Sequence, residues 1–254
     1  MFAVFRACIF SRNPVYYSQN HWRGKRLGVT IFAGHYGSGK TTVAVNYVLE
    51  LRKQAPGLRK QAPGLLALCD MDIVNPYFRT ADHAKLLAEN GVELISSAYA
   101  NSGVEAVWYP TQAARVFDDP GLDSVVDLGG DDCGALALGR YAARIEGRKD
   151  IRLLMVVNPC RPLTRDVGGL LQIKREIENV AGIPFAGMVN NTNLGGDTTA
   201  ALITGCFGLV REMSRALGLP FARTAIPAEI PLEVPADLGK RLDITRYPNR
   251  FGFN

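Results

Sequence analysis

The stretch Leu27-Gly28-Val29-Thr30-Ile31-Phe32-Ala33-Gly34-His35-Tyr36-Gly37-Ser38-Gly39-Lys40-Thr41-Thr42 decides the architecture. Its first half is a short apolar run with the β-branched character of a buried strand. Gly34 to Thr41 then matches G-x-x-x-x-G-K-[ST], and a helical pattern follows over Lys40–Arg52. Strand, glycine-rich turn and helix, in that order, are the context in which this motif cradles phosphate. The glycines let backbone N–H groups curl around phosphate oxygens, and the helix N-terminus adds its partial positive charge. In such a loop Lys40 reaches the β- and γ-phosphates and the Thr41 hydroxyl ligates Mg²⁺. Gly34, His35, Tyr36, Gly37, Ser38, Gly39, Lys40, Thr41 and Thr42 are therefore the candidate nucleotide-binding set. A chance glycine-rich turn would have no reason to sit between such neighbours.

Outward from this stretch the chain alternates short apolar runs with amphipathic ones. Further strands are predicted at Leu65–Cys69, Val92–Ile95, Ser124–Leu128, Arg152–Val157, Phe185–Asn190 and Phe221–Ala225. Helices are predicted near Phe78–Asn90, Val104–Phe117, Gly134–Arg148, Arg165–Ala181 and Thr199–Leu217. Strands that are apolar throughout are buried on both faces, as in a parallel sheet covered by helices. The expected fold is a three-layer α/β/α phosphate-loop NTPase with a mostly parallel, doubly wound sheet, a single domain over 27–254. Ligands in such sheets bind beyond the carboxyl ends of the strands.

Two strand ends are acidic. Cys69-Asp70-Met71-Asp72 closes the second, and Val125-Val126-Asp127-Leu128-Gly129-Gly130 closes the fourth. Carboxylates at strand tips beside a phosphate loop can hold Mg²⁺ through its water shell and orient an attacking water. Asp127 fits the metal's outer sphere, because an apolar strand ending in Asp and then Gly, here Val125-Val126-Asp127-Leu128-Gly129, is similar to the Walker B pattern. Gly130 would then bring its backbone N–H to the γ-phosphate. The alternative, for Asp127 and Asp72 and equally for Asp70, Asp131 and Asp132, is a helix N-cap.

Composition narrows the class. The 254 residues are 47% hydrophobic and 21% charged, which supplies a core and excludes fibrous and globally disordered chains. No apolar run approaches the roughly 18–20 residues of a membrane-spanning helix. The net charge of +5 lies in residues 1–26, where Arg6, Arg12, Arg23, Lys25 and Arg26 meet no acid. The other 24 basic residues balance the 24 acidic ones, so the body lacks the surplus of a nucleic-acid binder. Residues 1–26 read as a disordered leader, either a targeting segment or an extension outside the fold. LRKQAPG occurs twice in tandem over 51–64, and Pro56 and Pro63 rule out a continuous helix there, so the copy lengthens a surface loop. Five scattered cysteines without a CxxC suit a reducing, cytoplasmic setting.

Taken together, these motifs resemble the MinD/ParA-type P-loop ATPases commonly grouped as CobQ/CobB/MinD/ParA, with deviant Walker A motifs. Gly39-Lys40-Thr41-Thr42-Val43-Ala44-Val45-Asn46 is similar to the start of their first helix, and Asp70-Met71-Asp72 to the D-x-D closing their second strand. Asp127 to Gly130 resembles their Walker B and switch II, and Met188-Val189-Asn190-Asn191 their adenine-reading strand end. GHYGSGKT, DMDIVNPYFR and DLGGDD in combination also resemble a set of bacterial ATP-binding proteins within that superfamily. The resemblance implies a Mg²⁺-dependent ATP-binding protein with slow ATPase activity, acting as a nucleotide-dependent switch or an assembly or maturation factor with a protein partner. It implies catalytic roles for Lys40, Asp72 and Asp127, adenine recognition by Asn190 or Asn191, and switches at Asp72–Arg79 and Gly129–Asp132.

Some residues depart from the family pattern. His35 stands where these motifs carry the lysine that crosses to a partner's nucleotide, which leaves homodimer formation open. Leu242 to Asn254 has no amphipathic Lys-rich face, so no membrane anchor is expected. The competing function is a metabolic kinase or an ATP-dependent amide- or ring-forming enzyme acting on a carboxylic acid, with Arg79 and Arg161 beside a second pocket. A further one is a non-enzymatic factor with ATP as a structural ligand. His83, Cys69 and Cys133 read as packing residues, and Pro227, Pro231 and Pro235 as a turn-rich segment on the nucleotide side or an irregular tail.

Overall fold

The computed structural model describes residues 27–54, 65–72, 80–96, 111–130 and 132–247. The leader, residues 55–64 of the duplicated loop, the proposed switch stretch 73–79 with Arg79, and Asp131 lie outside the described residues. So do 97–110, 248–254 and the side chains of Asp132 and Cys133.

The described residues form eight strands: β1 Val29–Ala33, β2 Leu66–Met71, β3 Glu93–Ile95, β4 Asp123–Leu128, β5 Ile151–Val157, β6 Phe185–Asn190, β7 Phe221–Pro227 and β8 Lys240–Ile244. They join in one sheet, in the order β3-β2-β4-β1-β5-β6-β7-β8, with every pair parallel. The central strands are buried along their length, as their unbroken apolar runs require. Side chains alternate across the sheet. Val29, Ile31, Ala33, Val126 and Leu128 join one core, while Phe32, Leu68, Val125 and Val156 join the other.

Helix α1, Lys40–Gln54, covers the second of these faces and contributes Val43, Ala44, Tyr47, Val48 and Leu51 to its core. On the opposite face lie α7, Val167–Ala181, and α9, Phe207–Leu217, which present Leu170, Ile177, Val210 and Met213 to the sheet. The result is the expected three-layer α/β/α arrangement. No helix among the described residues is long and apolar enough to cross a membrane.

Helix boundaries differ from the sequence pattern where local chemistry intervenes. The run predicted as one helix over Arg165–Ala181 restarts at Asp166, whose carboxylate accepts from Gly168 N and Gly169 N at 3.1 and 2.9 Å. The Gly134–Arg148 run divides into α4, Asp132–Gly139, and α5, Ala142–Ile145. The Thr199–Leu217 run divides at Cys206 into α8, Ala200–Gly205, and α9. Of the Phe78–Asn90 pattern, the described part is a 3₁₀ turn at Thr80–His83 and a short helix, α2, Ala84–Glu89. Of the Val104–Phe117 pattern it is a 3₁₀ turn at Thr111–Ala114 and a single helical turn, α3, Arg115–Asp118, and one further turn, α6, Pro162–Arg165, precedes Asp166.

The eighth strand was not predicted. Lys240-Arg241-Leu242-Asp243-Ile244 buries only Leu242 and Ile244, and the Pro-rich link before it holds a 3₁₀ turn in place of a crossover helix. That link is organised by Arg241, whose guanidinium donates to the carbonyls of Ile230 and Leu232 at 3.1 and 2.6 Å. Beyond β8 the chain is gripped by α1. Asn46 Nδ2 donates to Thr245 O at 3.0 Å, and Asn46 Oδ1 accepts from Thr245 N at 2.9 Å. Asn46 is nearly buried, so its loss would strand two backbone groups. Asn46→Ala is therefore expected to cost about 1–3 kcal/mol of stability. Urea unfolding checks it, and an unchanged midpoint would refute the assignment.

Candidate functional site

β1 lies between β4 and β5, and the chain leaves it toward β2 on one side and later returns to build β5 on the other. In open α/β sheets the crevice at such a reversal is where ligands bind. The loop Gly34–Gly39 occupies it and feeds directly into α1.

Lys40 is 5% exposed, and its ammonium donates to the carbonyl of His35 at 3.3 Å, so the loop folds back over its own lysine. Gly39 has φ of +85°, and a Cβ there would stand 2.3 Å from Asn191 Nδ2. Only glycine meets both conditions. That Nδ2 donates to Ser38 O at 2.7 Å, so Asn191 clamps the loop from the end of β6. The Ser38 hydroxyl is itself buried and has no hydrogen-bond partner among the described residues.

Asp127 is the penultimate residue of β4, level with Phe32 of β1 and Asp70 of β2. Parallel pairing at one level puts these side chains on the face that α1 covers. Asp127 is fully buried within a strand, and the helix after it begins only at Asp132, so the N-cap alternative does not apply. One carboxylate oxygen, Oδ2, accepts from the Thr80 hydroxyl at 3.0 Å. The other, Oδ1, is buried and meets no donor at hydrogen-bonding geometry among the described residues. Burial, reinforced by the nearby charge of Asp72, pushes the Asp127 carboxyl up to about 6, against the pull of Thr41, Lys40 and Thr80 toward the ionised form.

The other acidic strand end is arranged differently. Asp70 Oδ1 accepts from Asp72 N at 3.0 Å and so shapes the turn leaving β2. Asp72 is 7% exposed, and a Cβ on Gly129 would stand 3.5 Å from its Oδ1. Gly130 comes closer still to the phosphate loop: a Cβ there would lie 2.7 Å from Tyr36 N and 2.8 Å from Lys40 Nζ. Lys40, Thr41, Asp72, Asp127, Gly130 and Asn191 are thus brought to one crevice.

Asn190 is fully buried at the end of β6. Its Oδ1 accepts from Thr192 N at 3.2 Å and from the Thr192 hydroxyl at 2.7 Å, while its Nδ2 has no partner among the described residues. Cys69 points into the core on the opposite face from Asp70, and burial together with the charges of Asp70 and Asp127 pushes its thiol up, as befits a packing residue. Burial also lowers the His83 imidazole, whose ring meets that of Tyr247. Thr164 is buried with its hydroxyl on Asn158 O, whereas Arg161 is exposed.

Two residues here were not singled out from sequence. Thr80 closes on Asp127 from 47 positions away, and no local signal marks it. Asn158 joins β5 to the loop after β6, accepting from Asn193 N at 3.2 Å and donating to Asn193 O at 2.9 Å.

A bound Mg²⁺ is testable against this donor set. Among the described residues no cluster of three or more His, Cys, Asp or Glu could hold a metal. Mg²⁺, however, is usually held by one or two protein ligands with phosphate and water oxygens completing the shell. A buried carboxylate oxygen without a donor, near a threonine at the start of α1, fits that mode.

No family model matches the chain, and no curated protein sequence matches it. Solved structures do. The chloroplast FtsY from Physcomitrella patens superposes with a TM-score of 0.51 at 16% identity, over 92% of this chain and 66% of its own. The cell division protein FtsY from Thermotoga maritima gives 0.50 at 16%, over 78% of this chain and 61% of its own. The 54 kDa signal recognition particle protein from Aeropyrum pernix K1, solved in complex with GDP, gives 0.44 at 20%, over 77% and 47%. This chain spans less than two thirds of each neighbour's length. At such identities the likeness is one of fold: the chain has the α/β P-loop NTPase fold.

The raised carboxyl of Asp127 has a consequence for stability. Well below about pH 4 the group is protonated in both folded and unfolded chains and costs nothing. As pH rises from about 4 to about 6 the unfolded chain ionises first, and stability falls by about 3 kcal/mol. In buffer free of metal and nucleotide, Asp127→Asn is therefore expected to exceed the parent in stability at pH 8. The difference should shrink toward zero near pH 4, as read by denaturant unfolding across that range.

Proposed function

We propose that this protein binds Mg²⁺ and ATP, hydrolyses the nucleotide slowly, and uses the bound state as a conformational switch. The observation that carries the reading is Asp127 Oδ1, buried beside a complete phosphate loop next to Thr41 and meeting no donor at hydrogen-bonding geometry among the described residues. A fully desolvated carboxylate is costly by itself, and a cation in the crevice would compensate it.

Thr41 and Asp127 would hold the metal, directly and through its water shell. Mg²⁺, when bound, supplies charge neutralisation on the phosphates. Lys40 would exchange the His35 carbonyl for a γ-phosphate oxygen, and the backbone N–H of Gly130 would approach the same group. Asp72, near Gly129, would accept a hydrogen bond from the attacking water and set its direction. The switch reading follows from this proximity, since loss of the γ-phosphate would remove what Lys40 and Gly130 share.

Base recognition favours adenine. An asparagine side chain offers a donor and an acceptor together, the pair that adenine's edge complements. With Asn191 engaged on the phosphate loop and Asn190 Oδ1 already accepting twice from Thr192, Asn190 would take that role through Nδ2, which has no partner among the described residues and would donate to a ring nitrogen of the base. Guanine offers two donors on its pairing edge and calls for a carboxylate, and Asn190–Leu194 contains none. A protein partner that reads the nucleotide state, and a cytoplasmic location, complete the proposal.

A second reading has one observation in its favour. An open surface depression at the carboxyl end of β5, one strand from the phosphate loop, is lined by Cys160, Pro162, Arg165 and Asp166 and not by Arg161, while Arg79 lies outside the described residues. A carboxylic-acid co-substrate there would make the protein a kinase or ligase.

Binding and turnover of ATP and GTP by the full chain, with and without Mg²⁺, test these readings; the GTP arm is included because one distant neighbour holds GDP. ATP should bind in preference, depend on Mg²⁺, and turn over slowly. Lys40→Ala should weaken binding at least about tenfold, the loss of one hydrogen bond to a charged group. Folded protein that binds neither nucleotide would sink the proposal. Strong stimulation by a small carboxylic acid would transfer it to the second reading.

A further inference from the structure

Thr80 lies directly after the proposed switch stretch and opens the 3₁₀ turn Thr80–His83. Its side chain is fully buried, and its hydroxyl donates to Asp127 Oδ2 at 3.0 Å. A carboxylate turns about a broad, roughly two-fold torsion unless something pins it. Here one oxygen is pinned, and the other meets no donor at hydrogen-bonding geometry among the described residues. The bond therefore divides the carboxylate into an oxygen committed to protein and an oxygen available to a ligand.

The turn that carries Thr80 is anchored in its own right. The ring of His83 meets that of Tyr247 edge-on, with centroids 6.1 Å apart. Two residues earlier, Thr245 is held by Asn46, on the helix that the phosphate loop opens. Thr80 is thus fixed relative to α1 as well as to β4.

We infer that Thr80 is a positioning residue for the metal site: its hydroxyl sets the plane of the Asp127 carboxylate and presents Oδ1 to the water shell of a phosphate-bound Mg²⁺. The inference rests on the Mg²⁺–nucleotide reading above. Residues that orient a metal's carboxylate from behind typically carry a 10–100-fold share of metal affinity. A threonine that only satisfied a buried acid would carry stability and no such share.

The test measures binding of a fluorescent, slowly hydrolysed ATP analogue to the full chain at increasing Mg²⁺, with no turnover required. Parent, Thr80→Val, Thr80→Ala and Thr80→Ser are compared, each checked for folding by thermal melting in EDTA. Both variants lacking the hydroxyl should need about 10–100-fold more Mg²⁺ to reach half-binding, with affinity for metal-free nucleotide unchanged. Thr80→Ser should restore the parent midpoint. Should Val or Ala, once folded, match the parent midpoint, Thr80 is structural and the inference falls alone. Should Ser fail as badly as Val, the hydroxyl is not the operative group, and the inference again falls. A parent that shows no Mg²⁺-dependent binding at all would instead overturn the functional reading beneath it.

Discussion

A carboxylate with no access to water, set beside a loop that gathers positive charge, is the constraint around which this structure is arranged. Asp127 belongs to a strand whose neighbours on both sides are parallel and fully paired, so it cannot turn outward to be hydrated. The charge must be met where it stands. Thr80 meets one oxygen, and Thr41 and Lys40 favour the ionised form from the phosphate loop. Asp72 works the other way, adding a second negative charge nearby.

Neutral amides do much of the remaining fastening. Asn191 holds the phosphate loop, Asn158 joins the ends of β5 and β6, and Asn46 grips the chain beyond β8. Asparagine suits such places because it donates and accepts without the desolvation cost of a charge. Each of these contacts spans a long separation in sequence, from 35 to 199 positions. They connect the phosphate loop, the sheet's carboxyl edge and the C-terminal strand into one framework.

The Lys240–Ile244 strand and the Thr80 contact show why parts of this framework were not legible in advance. Strands such as Val29–Ala33 announce themselves because burial on both faces demands an unbroken apolar run. An outer strand needs only alternate apolar residues, and five residues with two of them read as tail. The helix divisions at Tyr141 and Cys206 likewise interrupt amphipathic runs whose 3.6-residue period continues through them. The partition of roles between Asn190 and Asn191 depends on which amide the phosphate loop reaches. Adjacent residues on a strand point to opposite faces, and sequence cannot say which face the loop will approach.

The sequence by itself determined the phosphate loop, seven of the eight strands, the parallel three-layer class and the acidic strand end at Asp127. All of these are local: they require particular residue types at fixed spacing, or a run of apolar side chains long enough to be buried. Tertiary structure alone decided the order of the strands, the partner of each amide and the surroundings of Asp127. These depend on residues far apart in the chain meeting at short range, as Thr80 meets Asp127. Hydrogen bonding acts through distance and angle in space, and neither is written in the order of the residues.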